Sequence, residues 1–389
     1  MMFIPNPYRP GAGENPAYLA GRDKIIENGT KILTTISYGY PARSEIFYGL
    51  RGVGKTVLLN RLMDIGTGLG VVSESIEIET HNVSFQSELA LKVYKIMAQM
   101  SLARHLESYM VRALGILKAF SLKYSNEGFS AEIAVDPVQG IANTGNIAND
   151  ISELFLALGA VAKRQKKGVA IFIDEMQIMR TADMEALFVA IHRVNQKGYP
   201  VVMFGAGLPK VLKLAGKAKS YAERLFLFSE IGSLDRAAAA LALTKPAEEL
   251  GVSYDDDAVD EVLRITEGYP YFLQEYGSNI WETDHGQVIT LATVKSAYPE
   301  FEHRIDESFF RIRYEKATHR ELEFMLAMAE IGTHPCSIRQ VADAMHVKVQ
   351  SISVLRAQLI HKGFIYALSR GEIDFTVPQF GAYLKRVCG

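Results

Sequence analysis

The spacing of apolar residues changes twice along the chain, and each change predicts a different kind of structure. From Glu45 to Ile231, short apolar runs alternate with segments in which apolar residues recur at helical spacing. The predicted strands are Glu45–Tyr48, Val71–Glu79, Gly168–Ile173, Val201–Phe204 and Phe226–Ile231. The continuous apolar run Gly168–Ile173 is typical of a strand buried on both faces. This region therefore predicts an α/β fold, a parallel sheet with helices on both faces.

Helices without strands are predicted after Leu234. The segments with helical spacing are Asp235–Leu243, Asp256–Thr266, Tyr271–Ile280 and Leu291–Phe310. Gly268-Tyr269-Pro270 interrupts this series, because proline cannot continue a preceding helix. We interpret residues 234–316 as a small α-helical domain, which we call the lid.

Residues 317–389 have a third pattern. The predicted elements are a helix Glu321–Ile331, a helix capped by Ser337 and ending at Met345, a helix Val349–Lys362, and strands Ile365–Leu368 and Ile373–Val377. Gln340 lies three residues after Ser337, so the two match a capping box. A helix, a helix-turn-helix and a two-stranded wing together predict a C-terminal winged helix.

The N-terminal segment, residues 1–24, is rich in proline and glycine and is interpreted as an extended arm. Its aromatic residues favour an arm that docks on the protein, since disordered tails contain few aromatics. Asp23 is predicted to cap the helix that follows.

Residues 119–150 are predicted to form an insertion in the sheet region. Phe120–Tyr124 and Phe129–Val135 are interpreted as two strands of a hairpin around a Ser-Asn-Glu-Gly turn. The pattern fits an ordinary edge hairpin and a projecting contact device equally well. Asp150 is predicted to cap the next helix, which runs to about Lys166.

The most specific motif follows the first predicted strand. Residues 49–56 fit G-x-x-x-x-G-K-[ST] between a strand and an apolar helix, the context that this motif requires. Glycines let the backbone approach an anion closely, and the loop amides and helix start then converge on a phosphate. Lys55 is predicted to reach the β- and γ-phosphates of ATP or ADP, and Thr56 to bind Mg²⁺. The predicted nucleotide-binding residues here are Gly49, Gly52, Val53, Gly54, Lys55, Thr56 and Val57.

Two carboxylates, Asp174 and Glu175, follow the apolar strand Gly168–Ile173. The carboxyl ends of parallel strands are where open α/β sheets hold ligands. Asp174 is predicted to hold Mg²⁺, directly or through water. Glu175 is predicted to orient and deprotonate the attacking water.

Composition narrows the class of protein. The 389 residues are 48% hydrophobic and 22% charged, as in an ordinary globular protein of two or three domains. A net charge of −2 means that any nucleic-acid binding must come from a local patch. The two cysteines are far apart, which argues against a disulfide framework. We find no signal peptide and no apolar run long enough to span a membrane, and expect a cytoplasmic protein without membrane partners.

The predicted winged helix offers a face for a partner. Candidate DNA contacts are Gln350, Ser351, Ser353 and Arg356 on the third helix and Arg370 at the wing tip. Residues 317–389 contain eight basic and six acidic residues, a net of +2. Because winged helices also contact proteins, this charge leaves both double-stranded DNA and a protein open as partners.

With these pieces placed, the chain resembles AAA+ ATPases, most closely the branch of replication initiators and STAND-related bacterial ATPases with a C-terminal winged helix. Gly49–Thr56 corresponds to Walker A and Ile171–Glu175 to Walker B. The resemblance implies that Ala20–Asp23 lies beside adenine and that Pro270 contacts the base. It also implies that Arg224 reaches the γ-phosphate of a neighbouring subunit.

Two departures from the family pattern bear on the rate of hydrolysis. Strand Val201–Phe204 ends in Gly205-Ala206-Gly207, where AAA+ proteins usually carry a polar sensor of the γ-phosphate. The lid also lacks an arginine directly after Gly-Tyr-Pro. The resemblance therefore favours a slow Mg²⁺-dependent ATPase switch.

Two functions fit these features. In the first, ATP controls self-association into a homo-oligomer and DNA binding through the winged helix. In the second, a STAND-type signalling or defence ATPase uses the winged helix to contact protein, and an effector protein is its partner. The predicted division is an arm 1–24, an ATPase core 25–233, a lid 234–316 and a winged helix 317–389.

Overall fold

The computed structural model describes the chain except residues 1–4, 12, 80–83, 101–106, 126–132, 220–221, 284–285, 334, 369–370 and 389. It divides into two compact units. The sheet unit comprises residues 22–49 and 54–231, and the helical unit comprises residues 1–21, 50–53 and 232–389. Residues 50–53 of the glycine-rich loop thus belong to the helical unit.

A five-stranded sheet forms the centre of the sheet unit. Its strands are β1 (Ser44–Tyr48), β2 (Val72–Glu77), β3 (Val169–Asp174), β4 (Val201–Gly207) and β5 (Phe226–Glu230). Their order is β2-β3-β4-β1-β5, and every neighbouring pair is parallel. All five predicted strands are therefore present, and the predicted α/β fold with a parallel sheet is confirmed.

Stacked aromatic rings tie the three central strands together. Phe204 of β4 stacks on Phe172 of β3 at 5.2 Å between ring centroids and on Phe47 of β1 at 6.3 Å. All three side chains are at most 1% exposed. Burying one phenylalanine contributes roughly 1.5–3 kcal/mol to folding. The stack therefore fixes β1 and β3, the two strands that end in the predicted site.

Helices cover both faces of this sheet. They are α1 (Asp23–Ser37), α2 (Lys55–Gly68), α3 (Phe85–Met100), α4 (Ser108–Tyr124), α5 (Ile147–Gln165), α6 (Thr181–Gln196), α7 (Lys210–Ala218) and α8 (Ala222–Leu225). The apolar residues of α3 to α8 form one buried core with residues of the sheet. Neither here nor elsewhere in the described part of the chain is a helix long and apolar enough to cross a membrane.

The first predicted strand of the insertion is wrong. Phe120–Tyr124 is the last turn and a half of α4. Phe120 is fully buried, and its ring lies 4.9 Å from that of Tyr124, four residues later. Four-residue spacing is helical, and the alternation in this short stretch was mistaken for a strand. Most of the second predicted strand, Phe129–Val135, lies outside the described residues.

Neither predicted aspartate cap is present. Helix α1 begins at Asp23 itself, and Arg22 precedes it without a capping side chain. Asn146 caps α5 by accepting a hydrogen bond from the backbone amide of Asn149. Asp150 is fully buried and accepts 2.6 Å from the hydroxyl of Tyr124, so its carboxylate holds α4 to α5.

The predicted lid, residues 234–316, lies in the helical unit. It contains α9 (Arg236–Glu248), α10 (Asp256–Thr266), α11 (Pro270–Glu282), α12 (Leu291–Arg304), a π-helical turn (Ile305–Phe310) and α13 (Arg311–Lys316). The prediction of helices without strands missed a short parallel pair, β6 (Ser253–Tyr254) with β7 (Val288–Ile289). Two-residue strands give no periodic signal in a sequence.

The N-terminal arm docks on these helices. Tyr8 is 3% exposed and donates a 2.6 Å hydrogen bond to the carbonyl oxygen of Leu243 in α9. Its ring meets Trp281 of α11 edge to face, with 6.3 Å between centroids. The side-chain amide of Asn6 donates to the carbonyl oxygen of Ser278 at 3.2 Å. The prediction that the arm is docked is confirmed.

The last region contains every element predicted for it, plus two more. Its elements are α14 (His319–Ile331), β8 (Cys336–Ser337), α15 (Ile338–Ala344), α16 (Val349–Lys362), β9 (Ile365–Ala367), β10 (Glu372–Phe375) and α17 (Phe380–Cys388). The strands form an antiparallel sheet of order β8-β10-β9. The Ser337–Gln340 capping box is confirmed. The sequence analysis missed β8 and α17.

These last elements pack against the lid within the helical unit. Phe310 lies 5.7 Å from Phe380 and 5.2 Å from Tyr383 between ring centroids. Arg386 forms an ion pair with Asp306 at 2.6 Å. Aromatic contacts and an ion pair thus connect α17 to the π-helical turn.

Candidate nucleotide site

The glycine-rich loop has a backbone that requires glycine. Gly52 and Gly54 have φ angles of 78° and 91°, in the left-handed region that other residues rarely adopt. Gly54 directly precedes α2, and no side chain caps the first turn of that helix. The amides of that turn therefore have no intrahelical acceptor, and an anion suits them.

Lys55 is the first residue of α2, and its side chain turns back onto the loop. It is 8% exposed, and its Nζ donates a 3.1 Å hydrogen bond to the carbonyl oxygen of Gly49. The amide of Gly49 in turn donates to the carbonyl oxygen of Gly207 at the end of β4, at 3.2 Å. A buried ammonium is thereby fixed at the mouth of the loop.

Thr56 and Asp174 are brought together although 118 residues separate them. The Thr56 hydroxyl donates a 2.6 Å hydrogen bond to Asp174 Oδ2. Asp174 Oδ1 accepts from the backbone amide of Glu175 at 2.7 Å. A hydroxyl and a carboxylate at the end of parallel strands form an oxygen donor set of the kind that Mg²⁺ prefers.

Glu175 adopts an unusual backbone conformation for its residue type. Its φ of 55° lies in the left-handed region, at the start of a 3₁₀ turn, Met176–Ile178. The side-chain amide of Gln177 donates a hydrogen bond to the Glu175 carboxylate. Gln177 Oε1 accepts from the amide of Leu208 at 2.8 Å. Gln177 therefore connects the carboxylate after β3 to the end of β4.

Sequence reasoning missed Gln177, and no sequence signal could have found it. A glutamine two residues after an acidic pair is unremarkable until β3 and β4 are seen to be neighbours. The structure also explains the unusual glycines of β4. A methyl group on Gly205 would overlap Met176 Sδ, and one on Gly207 would lie 2.8 Å from Gln177 Oε1. Residues 176 and 177 thus occupy the space that side chains at positions 205 and 207 would need.

Pro270 and the middle of the loop lie in the helical unit. Pro270 is the first residue of α11, and Tyr269 is its N-cap. The amide of Tyr271 donates a 3.2 Å hydrogen bond to the carbonyl oxygen of Gly52. A side chain on Gly52 would come within 3.2 Å of the Tyr269 ring, which is a second reason for glycine there. Loop residue Val53 is 1% exposed, and Val57, in the first turn of α2, is half-buried.

Arg224 is not among the residues that the structure brings together. It is exposed in the short helix α8 and lines an open cavity of about 650 Å³ with Arg43, His192 and Leu225. None of the predicted phosphate or Mg²⁺ residues lines this cavity. Arg224 thus lines a cavity that does not include the acidic pair of its own chain.

The candidate DNA contacts on α16 are exposed only in part. Gln350, Ser351 and Ser353 are exposed. The hydroxyl of Ser351 donates to the carbonyl oxygen of the N-cap residue Lys348, and that of Ser353 to the carbonyl oxygen of Gln350, both at 2.7 Å. Arg356 is half-buried, and its Nε is buried without a partner among the described residues. Arg370 lies outside the described residues.

Together, the sheet order, the glycine loop after β1 and the Asp-Glu pair after β3 match the P-loop fold of the AAA+ type. Residues 18–204 match the AAA ATPase domain family. Residues 307–384 match a domain of unknown function, DUF8462. No curated protein matches the sequence of this chain. The resemblance to AAA+ ATPases is thus confirmed for the region that carries the loop and the acidic pair.

A solved structure supports the same fold over most of the chain. The Walker-type ATPase PABY2304 of Pyrococcus abyssi is similar over 94% of this chain and 96% of its own, with 14% identity and a TM-score of 0.58. The Thermotoga maritima RuvB Holliday junction branch migration motor is similar over 94% and 95%, with 15% identity and a TM-score of 0.46. The Aeropyrum pernix Orc1 protein in complex with DNA is similar over 96% and 94%, with 17% identity and a TM-score of 0.44. Of these three, only the first supports the fold assignment.

Proposed function

We propose that this protein is a Mg²⁺-dependent ATPase switch whose nucleotide state controls self-association and DNA binding through a C-terminal winged helix. The observation that carries the proposal is the meeting of Lys55, Thr56 and Asp174 at the carboxyl ends of β1 and β3. Both glycines with positive φ and the uncapped start of α2 fit the same ligand.

Each residue of the site has a defined task in this proposal. Lys55 holds the β- and γ-phosphates as a point charge. Thr56 and Asp174 hold Mg²⁺, which offsets the negative charge that develops on the phosphates. Glu175 accepts the proton of the attacking water. Gln177 holds the Glu175 carboxylate in position through its hydrogen bond.

Slow turnover is part of the proposal. Residues 176 and 177 fill the space at the end of β4, so no polar side chain of β4 itself can read the γ-phosphate. A slow ATPase remains in its ATP-bound form long enough for that form to act as a signal.

The nucleotide assignment is tested with Lys55→Ala. We expect it to abolish binding of a fluorescent ATP analogue, because it removes the ammonium of the loop. Lys31→Ala is the matched control, since Lys31 is exposed on α1 and pairs with Glu27. Near-parental affinity in Lys55→Ala would show that the loop is not the nucleotide site.

Self-association is proposed to occur through Arg224. The arginine is exposed and belongs to the sheet unit, and a guanidinium matches phosphate oxygens two at a time. An arginine supplied from outside a site contributes roughly 10³–10⁵ in rate. Arg224→Ala should bind ATP normally and hydrolyse it slowly, and mixing it with Glu175→Gln protein should partly restore turnover. Parental turnover that is independent of protein concentration, without rescue in the mixture, would mean that the chain acts as a monomer.

DNA binding is proposed from the order of elements in residues 319–388. Two helices, α15 and α16, precede an antiparallel pair, β9 and β10, and polar residues of α16 are exposed. If Arg356 meets a DNA phosphate, Arg356→Ala should weaken binding to every sequence and reduce the salt slope by about one. Arg320→Ala is a control because Arg320 pairs with Glu323. Unchanged DNA retention in Arg356→Ala with Arg370→Ala would exclude this face.

One observation favours the alternative, a STAND-type ATPase whose C-terminal domain contacts an effector protein. Val354 is 67% exposed in the middle of the α16 face, and the neighbouring exposed residues are uncharged. An apolar side chain among polar groups suits a protein surface better than a phosphate backbone. Absence of DNA binding at low salt with either ADP or ATP would favour this function.

A further inference from the structure

Six basic residues and no acidic residue lie in the three segments that lead into β1, β3 and β4. The segments are 37–43, 163–168 and 195–200, and all three belong to the sheet unit. The basic residues are Arg43, Lys163, Arg164, Lys166, Lys167 and Lys197. The whole chain has a net charge of −2, so this excess is local. With Arg224, Glu223 and Glu107 of adjoining segments included, the net charge is still +5.

Contacts between the three segments place these residues on one surface. The amide of Val169 donates a 2.9 Å hydrogen bond to the carbonyl oxygen of Pro200, so the segments before β3 and β4 lie side by side. Lys163 Nζ donates a 2.8 Å hydrogen bond to the carbonyl oxygen of Gly39, which joins the segment before β3 to the segment before β1. The amino ends of the three strands therefore share their basic residues.

Two tyrosines project from the same surface. Tyr38 and Tyr40 are 76% and 64% exposed. Gly39 between them has a φ of 80°, and its amide donates to the carbonyl oxygen of Ile36, which ties this turn to the end of α1. Lys163 Nζ lies 5.8 Å from the centre of the Tyr40 ring. We call the six basic residues and these two tyrosines the basic surface.

The charges of the basic surface are not neutralised by carboxylates. None of its six basic side chains forms an ion pair with a carboxylate in the part of the chain that the structure describes. The Arg164 guanidinium instead lies 5.1 Å from the centre of the Tyr109 ring. Arg193, earlier on α6, shows the contrast, because it pairs with Glu153 at 2.9 Å. Positive charge is therefore available here for a partner outside the chain.

Lys166 has a backbone conformation that suits another residue type. Its φ of 53° lies in the left-handed region, at the end of α5. Glycine is the residue that most often ends a helix in this conformation, because it has no Cβ. The Lys166 side chain is exposed. An exposed charge on a strained backbone indicates a role outside the fold.

From these observations we propose that the basic surface binds single-stranded nucleic acid. The positive charges meet backbone phosphates, and the rings of Tyr38 and Tyr40 stack on bases. A duplex fits less well, because its base faces are stacked on one another and closed to the two rings. The proposed contact of α16 differs from this one, because it is made to double-stranded DNA by the helical unit.

The basic surface is separate from the predicted nucleotide site. Asp174 and Glu175 lie at the carboxyl end of β3, whereas Lys166 and Lys167 precede its amino end. A strand of this length spans roughly 17–20 Å. Substitutions at the basic surface should therefore leave nucleotide affinity unchanged, and nucleic-acid binding here does not require the proposed ATPase switch.

Three lysines test the role of charge. One variant combines Lys166→Gly, Lys167→Ala and Lys197→Ala, and a control of equal net charge combines Lys31→Ala, Lys95→Ala and Lys213→Ala, all at exposed positions of other helices. Binding of a fluorescent oligothymidylate of roughly 20 nucleotides, longer than one site, is followed by anisotropy across a salt series. The first variant should bind roughly 10- to 100-fold less tightly near about 0.1 M salt, with a salt slope smaller by about two, because each phosphate contact on a single strand contributes about 0.7. The control should match the parent.

The two tyrosines test the single strand as the occupant. Tyr38→Ala with Tyr40→Ala should weaken oligothymidylate binding by at least about 10-fold at an unchanged salt slope, because stacking is lost and charge is not. Binding of a duplex of the same length should change by less than about twofold. Oligouridylate should behave as oligothymidylate does, since phosphates and stacked rings do not read the 2′-hydroxyl. Equal losses on single strand and duplex, or no loss on either, would overturn the single strand as the occupant.

Thermal unfolding separates binding from folding. Lys166→Gly alone should unfold at the parental temperature or higher, because glycine suits a positive φ. The same variant should bind oligothymidylate about fivefold less tightly, as expected for one phosphate contact. Parental affinity in this variant and in the three-lysine variant would overturn the proposal.

Two further measurements exclude other partners and other surfaces. Arg356→Ala should bind the single strand as the parent does, because Arg356 lies in the helical unit. A loss in Arg356→Ala equal to that of the three-lysine variant would overturn the basic surface as the site. Vesicles of phosphatidylserine and phosphatidylcholine offer anionic charge without bases. Vesicle binding that the three-lysine variant loses, in a parent that does not bind oligothymidylate at low salt, would overturn nucleic acid as the occupant.

Discussion

Two clusters of polar groups in this molecule are satisfied in opposite ways. At the ends of β1 and β3, the polar groups bond to one another: Thr56 to Asp174, and Gln177 to Glu175. In the helical unit, the Tyr269 hydroxyl has no partner among the described residues. The side chains of the first cluster are thus paired with one another, whereas the second contains a buried hydroxyl that has no partner among the described residues.

Of the two clusters, only the second lowers the stability of the folded protein. A buried, unsatisfied polar group destabilises the folded protein by about 1–3 kcal/mol. The unpaired Tyr269 hydroxyl therefore lowers the stability of the folded helical unit.

The largest effect is expected from Glu175→Gln. The amide is nearly isosteric but cannot accept a proton, and a general base typically contributes ~10²–10⁴ in rate. ATP and Mg²⁺ affinity should stay near the parental value, because Thr56 and Asp174 are untouched. Single-turnover hydrolysis and calorimetry measure the two quantities separately. Hydrolysis at the parental rate would assign the base to another residue.

Gln177→Glu sharpens the comparison within the first cluster. Glutamate can still accept from the amide of Leu208 but places a second carboxylate beside Glu175. A glutamate carboxylate cannot donate the hydrogen bond that holds the Glu175 carboxylate, and two neighbouring carboxylates repel each other. Turnover should therefore fall, while the affinity for a non-hydrolysable ATP analogue stays near the parental value. Parental turnover in this variant would show that Gln177 does not position Glu175.

A smaller effect, on the stability of the protein, is expected when a methyl group is added next to the first cluster. Gly205→Ala should lower the free energy of unfolding by about 1–3 kcal/mol, because the new methyl group overlaps Met176 Sδ in a filled site. Gly216→Ala is the matched control, since no atom lies within 4 Å of its added methyl group and it sits inside α7. The control should be neutral or stabilising. Equal urea midpoints for the two variants would contradict this account of β4.

Periodicity alone predicted most of the fold. The five strands of the sheet and the main helices of the helical unit follow from runs and spacings that extend over several residues. Periodicity failed where a segment was short or fitted two patterns. Phe120–Tyr124 fits an alternating pattern and a helical pattern equally, and it is helical. Elements of two residues, such as β8, are set by pairing with a distant strand and leave no local pattern.

The candidate site was predictable only to the extent that it is local in sequence. Lys55 and Thr56 belong to one motif, and the acidic pair follows one strand, so both could be read directly. Gln177 became visible only through its contact with Leu208 on the neighbouring strand. Tyr269 could be interpreted as part of a helix break, but its lack of a partner depends on residues that lie far away in sequence.

The packing of Phe310 on Phe380 and Tyr383 determines at which residue the chain can be cut to give a stable C-terminal fragment. A fragment that starts at residue 317 would expose both C-terminal rings to water and leave Arg386 without Asp306. Exposed apolar patches of this kind promote aggregation. A fragment from residue 232 keeps these contacts but loses Tyr8, and with it the partner of the Leu243 carbonyl oxygen. Joining residues 5–21 to residue 232 through a short linker would give the smallest piece that retains both sets of contacts.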